Sequence, residues 1–124
     1  MSEVLSQVAL CALCEELGAD AACSFAHRYL DLLEARVQHL TEALAGGDAE
    51  AAWVAALSLH SSSAMVGAQA LAEVSRALAT QLRAGALAAA RLVLCEVAAL
   101  ATATARALLA FLARPVPGVV SAWA

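Results

Sequence analysis

The chain has 124 residues, of which 63% are hydrophobic and 15% are charged, so its composition excludes a disordered segment and fits one domain. Alanine accounts for 35 residues and leucine for 21, whereas aromatic residues make up only 4%, which favours an all-α fold over a β-sandwich or barrel. The net charge is −4, lysine is absent and the seven arginines are scattered singly, which excludes nucleic acid and disfavours an anionic membrane surface as a partner.

Glycines and capping residues mark the first two predicted helices. Ser2 can cap a first helix, which ends at Gly18 because glycine readily adopts the left-handed conformation that follows a helix. Asp20 can cap a second helix, which ends at the pair Gly46 and Gly47. Each break leaves a connection of only a few residues.

Three further helices follow in the same way. Asp48 caps the third, and Gly67 separates the third from the fourth. Gly85 ends the fourth helix, and the fifth runs from about Ala86 until Pro115, which lacks the amide hydrogen that a helix interior requires. The sequence therefore predicts five helices.

Hydrophobic spacing and short connections predict how these helices pack. Apolar residues recur every three or four positions in the longer helices, so each helix has one face to bury. Connections of one to three residues make consecutive helices antiparallel neighbours. We predict an antiparallel up-down four-helix bundle from helices two to five, with the short first helix capping one end. The bundle is one domain over residues 1–114, and residues 115–124 form an apolar C-terminal tail.

A mean hydropathy of +0.77 raises the question of a membrane segment. The longest stretch without a charged residue, residues 51–72, is long enough to span a bilayer. It contains four serines, a histidine and a glutamine, and much of its hydropathy comes from alanine. The start of the chain lacks the basic segment and continuous apolar core of a secretory signal. We therefore expect a cytoplasmic protein without a membrane segment.

The cysteines allow a test for a metal site. Cys11, Cys14 and Cys23 form with His27 the pattern C-x2-C-x8-C-x3-H, whose residue types could bind zinc. On a helix, however, Cys11 and Cys14 lie beside core leucines, where a free thiol behaves as a small hydrophobic residue. We therefore predict that these cysteines and Cys95 are free thiols and that the chain holds no metal.

Catalytic motifs are missing from the sequence. It contains no Ser–His–Asp order, no phosphate-binding P-loop, no glycine-rich dinucleotide loop and no H-E-x-x-H pattern. We therefore predict no catalytic residue, no enzymatic activity and no cofactor.

The informative motif is A-L-S-L-H-S-S-S-A-M-V-G-A at residues 56–68. It resembles the signature of the histidine phosphotransfer (HPt) domains of bacterial phosphorelays, A-H-x-L-K-G-S-S-x-x-x-G-A. The resemblance extends over about residues 10–112 and implies a helical bundle whose partners are response-regulator receiver domains or sensor histidine kinases. The positions that match in register are Ala56, Leu59, Ser62, Ser63, Gly67 and Ala68.

The departures from this signature bear on function. The resemblance places the family's phosphorylated histidine at Leu57, its lysine at His60 and the following glycine at Ser61. A leucine side chain has no lone pair with which to attack phosphorus. The chain should therefore accept no phosphate at the usual position.

The same register predicts a partner-binding surface on the third helix. The core-facing positions are Ala56, Leu59 and Ser63, which leaves Leu57 and His60 as exposed neighbours about one turn apart. An exposed leucine at the acceptor position could preserve docking while abolishing transfer. The candidate partner-binding residues are Leu57, His60, Ser61 and Ala64.

Three interpretations of the function stay open. In the preferred one, the chain is a non-catalytic module that binds receiver or kinase domains. In the second, His60 replaces Leu57 as the phosphate acceptor, because it lies one turn away on the same face. In the third, the bundle is structural or drives oligomerisation, and the apolar tail covers a groove or a dimer seam. The sequence leaves the partner, the oligomeric state and the role of the tail open.

Overall fold

The structure of the chain, a computed structural model, describes residues 3–113. The predicted cap Ser2 and the predicted tail, residues 115–124, lie outside the described residues. Within them no strand occurs, so the predicted all-α class is confirmed. The helices are α1 (Gln7–Leu17), α2 (Ala19–Ala45), α3 (Ala49–Met65), α4 (Gln69–Arg83) and α5 (Leu87–Leu112).

The first four helices end at the glycines that the sequence analysis identified as breaks. Each of the four breaks contains a glycine with positive φ, a conformation that costs a residue with a Cβ about 1–2 kcal/mol. The predicted cap of α3 is also present, because the Asp48 side chain accepts a hydrogen bond from the Ala51 amide at 3.0 Å. The four glycines are Gly18, Gly47, Gly67 and Gly85.

The starts of α1 and α2 differ from the prediction. The cap of α1 is Ser6, whose hydroxyl accepts a hydrogen bond from the Ala9 amide at 3.2 Å. The helix α2 begins directly after Gly18, and Asp20 lies in its first turn instead of capping it. There the carboxylate still opposes the positive end of the helix dipole. The cap of α1 is therefore a serine, but at position 6, and α2 has no side-chain cap.

The four longer helices contact one another in a closed ring. The helix α2 packs against α3, α3 against α4, α4 against α5, and α5 against α2, while α1 packs against α2. Leucine side chains from all four longer helices fill the interior, and alanines let the helix backbones approach closely. Fully buried side chains of the core include Leu40, Leu44, Leu59, Leu71, Leu78, Val97 and Leu108.

The segment before α1 packs against the connection between α3 and α4. The Ser6 amide donates a hydrogen bond to the Gly67 carbonyl at 2.7 Å, and the Ala70 amide donates to the Glu3 carbonyl at 2.9 Å. A Cβ added at Gly67 would lie 2.8 Å from the Ser6 carbonyl oxygen and 3.0 Å from the Ala9 Cβ. Gly67 therefore serves two purposes: it adopts φ +78° and it lets the N-terminal segment approach.

The helix with the strongest membrane character is α5, not the segment that the sequence singled out. The connection between α3 and α4 divides residues 51–72, so no single helix spans them. Within residues 3–113, α5 is long and apolar enough to cross a membrane, with a mean hydropathy of 1.7 over an 18-residue window of which 22% is buried. A core helix passes the same test, and α5 buries Val97 and Leu108. The expected lack of a membrane segment therefore stays a prediction.

We expect Gly67→Ala to destabilise the protein more than Gly85→Ala. Both glycines have φ +78°, but a Cβ at Gly85 would meet no atom within 4 Å. The Gly85 variant should therefore lose only about 1–2 kcal/mol of stability, which is the cost of backbone strain at positive φ. The Gly67 variant should lose a further ~1–3 kcal/mol, because its Cβ would displace the Ser6 backbone.

Urea denaturation of the two variants measures this difference in the free energy of unfolding. Equal losses would show that the contact with Ser6 is not what requires glycine at position 67.

Candidate functional site

The motif at residues 56–68 occupies the second half of α3 and the turn after it, and its helical part has one buried face. Ala56, Leu59 and Ser63 are fully buried, as the register of the motif predicted. Val54 and Met65 are large apolar side chains that are 55% and 51% exposed. Further positions open to solvent are Ser58, Ser61 and Ala64.

Leu57 is half-buried, so the prediction of an exposed side chain is wrong. It packs against the edge of the hydrophobic core. Leu57 is three residues from His60 and therefore lies on the same side of α3, which is the side that meets α4. The spacing predicted the direction of this side chain correctly, but it could not show how closely α4 approaches.

His60 is half-buried as well, and it is not the solvated side chain that we expected. Its Nδ1 atom lies 2.8 Å from the Ala72 carbonyl oxygen on α4. A carbonyl oxygen only accepts hydrogen bonds, so Nδ1 carries the hydrogen, and in the neutral ring the lone pair lies on Nε2. This tautomer is assigned from the hydrogen-bond partner. His60 thus connects α3 to α4 and keeps one nucleophilic nitrogen.

The four predicted partner-binding residues lie on one strip of α3. Leu57, His60, Ser61 and Ala64 follow the spacing i, i+3, i+4 and i+7, which places them on a single side of a helix. Ser61 and Ala64 are exposed, and Leu57 and His60 are half-buried beside α4. We call these four residues the α3 strip; it contains no carboxylate and no arginine.

A buried hydrogen bond joins α3 to α2. The Tyr29 hydroxyl on α2 and the Ser63 hydroxyl are 2.8 Å apart. Burial raises the pKa of the Tyr29 phenol above its ordinary value of 10.0, while the bond to Ser63 and the positive charge of Arg36 oppose the rise. The sequence analysis had identified Ser63 as part of the motif but not its tyrosine partner, since a helical spacing alone does not reveal contacts between helices.

The thiols are more exposed than the sequence suggested. Cys11, Cys23 and Cys95 are exposed, Cys14 is half-buried, and all four are free. The interpretation of Cys11 and Cys14 as small hydrophobic residues beside the core is therefore wrong for Cys11. Among residues 3–113 no group of three or more histidine, cysteine, aspartate or glutamate side chains could hold a metal ion. That the chain needs no metal or cofactor stays a prediction.

Comparison with models of known protein families identifies the family of this chain. A family model described as "Hpt domain" matches residues 24–108, from the first part of α2 to near the end of α5. The chain belongs to the Hpt domain family. Hpt domains are phosphotransfer modules of phosphorelays that interact with receiver and kinase domains. No curated protein and no solved structure shows significant similarity to the chain.

Membership of the Hpt family confirms the resemblance that the motif indicated. The matched range is shorter than the expected residues 10–112, because α1 lies outside it. The α3 strip lies inside the match, as do Tyr29 and Ser63.

We expect Tyr29→Phe to lower the free energy of unfolding by about 1 kcal/mol at pH 8, because Ser63 loses its buried partner. This loss should shrink above pH 10. The raised pKa means that the unfolded phenol ionises first, so the contribution of Tyr29 is present below pH 10 and falls as the pH rises.

Urea denaturation from pH 8 to pH 11 measures both effects. The chain has one tyrosine and no lysine, so the difference between wild type and variant isolates this group. A constant difference across the range would contradict the assignment.

Proposed function

We propose that this Hpt domain is a signalling module of a bacterial phosphorelay that binds receiver or kinase domains without carrying phosphate at the usual position. The observation that carries the proposal is Leu57, which stands where the family motif has its phosphorylated histidine. The module acts in the cytoplasm, and its bundle extends over residues 1–114 with residues 115–124 as a separate tail. The closed ring of contacts and the short connections support an antiparallel up-down arrangement of α2 to α5.

The chemistry of phosphoryl transfer explains why Leu57 matters. When a receiver passes its phosphoryl group to a histidine, a nitrogen lone pair forms the new N–P bond while the bond between phosphorus and the aspartate oxygen breaks. The leucine side chain contains only carbon and hydrogen and cannot form such a bond. Loss of this nucleophile removes transfer at position 57 but leaves the shape of α3 in place.

The α3 strip supports a docking role. Leu57 contributes apolar surface, Ser61 and Ala64 are exposed, and Val54 and Met65 extend the apolar area along the helix. None of these side chains carries a charge that would have to be desolvated when a partner binds. Burial of the exposed part of Leu57 should contribute less than the ~1.5–3 kcal/mol of a fully exposed leucine.

Phosphate transfer to His60 is the second candidate, and one observation favours it. The hydrogen bond from Nδ1 to the Ala72 carbonyl leaves the Nε2 lone pair free to attack phosphorus. The phosphorylated ring would keep its Nδ1 hydrogen and hence the same bond. Against this candidate, His60 is half-buried and lies one turn from the usual position, whereas transfer tolerates misplacement of only ~1 Å before large rate losses.

Incubation with purified phosphorylated receiver domains from the same genome separates these possibilities. We expect at least one receiver domain to bind wild type without transferring its label. Leu57→Ala should weaken that binding up to about tenfold, which corresponds to at most ~1.4 kcal/mol of lost burial. The matched control is Leu92→Ala, since Leu92 is 82% exposed on α5 away from the strip.

The same experiment decides between the three interpretations. Phosphate label on wild type that His60→Ala removes, and that substitution of the exposed His27 by alanine leaves, would replace the proposal by transfer to His60. If wild type binds neither receiver nor kinase domains, the remaining interpretation is a bundle that is structural or drives oligomerisation.

We expect Leu57→His to accept a small amount of phosphate from a labelled receiver domain, because it restores an imidazole at the family's acceptor position. Adding His60→Lys and Ser61→Gly should increase the labelling, since the lysine adds a full positive charge and the glycine leaves room for the partner. The first change should cost about 1 kcal/mol of stability because Leu57 is half-buried. An unlabelled, folded triple variant that still binds the receiver would show that the register of the motif is wrong.

A further inference from the structure

A groove runs between α2 and α3 next to the α3 strip. Its larger part has a volume of about 390 Å³ and includes Arg36 and His39 of α2 and Val54 and Ser58 of α3 in its lining. A smaller cleft of about 100 Å³ continues along the same two helices. Arg36 lines both parts, so we treat them as one feature, the α2–α3 groove.

The charge of this groove differs from that of the whole chain. The chain has 11 acidic residues against seven arginines, yet the lining contains Arg28, Arg36 and His39 and no carboxylate. The groove between α2 and α5, about 580 Å³ in volume, shows the reverse, with Glu34 and no basic residue in its lining. Within residues 3–113, neither arginine of the α2–α3 groove forms an ion pair.

Apolar surface lies between these basic groups. Phe25 and Leu32 are half-buried in the smaller cleft, and Val54 is 55% exposed at the larger one. Ser58 lies three residues before Ser61 on α3, so the groove borders the α3 strip. A partner that covers the strip therefore also reaches the groove.

We propose that the α2–α3 groove binds an acidic part of the partner protein's surface, in which aspartate or glutamate side chains flank an apolar side chain. The carboxylates pair with Arg28 and Arg36, whose planar guanidinium groups suit carboxylate oxygens, and the apolar side chain covers Val54. This proposal rests on the proposed function, because the occupant is the same receiver or kinase domain that docks on the α3 strip.

Charge complementarity favours an acidic protein surface over nucleic acid as the occupant of the groove. An isolated basic groove on a chain of net charge −4 attracts carboxylates locally, while the remaining acidic surface repels a wrongly oriented acidic partner. The groove thereby fixes how the partner is oriented on the strip. Nucleic acid does not fit, because two arginines neutralise too few phosphates to overcome the negative charge of the chain.

Charge reversal with a matched control tests the groove. The receiver domain found to bind wild type is titrated against full-length Arg28→Glu, Arg36→Glu and Arg106→Glu at low and high salt. Arg106 is exposed on α5 and lines none of these grooves, so all three variants change the net charge equally. We expect each groove variant to weaken binding about tenfold at low salt, mainly through slower association, and the control to change it less than about twofold.

A second measurement keeps the test decisive. Arg36 is half-buried, so circular dichroism checks that its variant folds, and the exposed Arg28 tests the groove if it does not. Replacing a partner carboxylate by arginine should restore binding to Arg28→Glu.

Equal weakening by all three variants, or none by the groove variants, would overturn the groove proposal while leaving the proposed function intact. Failure of wild type to bind any receiver or kinase domain would overturn both.

Discussion

The close approach of α3 to its neighbours is the constraint on which the rest of the structure depends. The buried face of α3 includes Ala52, Ala56 and Ser63, all without exposed surface, so the adjacent helices lie near its backbone. At the end of the helix, Gly67 lets the chain turn directly into α4 and lets the N-terminal segment pack on the turn. A bulky residue at any of these positions would separate the helices that form the site.

Two side-chain hydrogen bonds define the orientation of α3 within this packing. Ser63 bonds to Tyr29 on α2, and His60 bonds to the Ala72 carbonyl on α4. They join α3 to two different helices and so oppose rotation of α3 about its axis. The α3 strip therefore keeps its position relative to α4. The proposed docking surface requires such a fixed position.

The chemistry of the site follows from what α3 presents at that strip. A leucine side chain occupies the position at which the motif resemblance places the family's phosphorylated histidine, and the proposed separation of recognition from transfer rests on this difference. His60 holds one hydrogen on Nδ1 for the contact with α4, which makes it first of all a residue that joins two helices. The neighbouring groove adds positive charge on one side only, and an asymmetric charge distribution favours one orientation of a partner over the others.

The sequence by itself determined the class, the breaks and the family. Helix-forming composition excluded sheets, glycines ended the first four helices, and the motif at residues 56–68 indicated the Hpt family, because these signals act within a few residues of the chain. The buried positions Ala56, Leu59 and Ser63 followed from the register of the motif together with the helical period.

Only the tertiary structure decided which side chains the neighbouring helices cover. Leu57 and His60 are half-buried, Cys11 and Cys23 are exposed, and Ser6 caps α1. A periodic pattern states the direction in which a side chain points, but its burial depends on how near another helix comes. That distance is set by the packing of residues far apart in the chain, as the bond between His60 and Ala72 shows, and no local signal contains it.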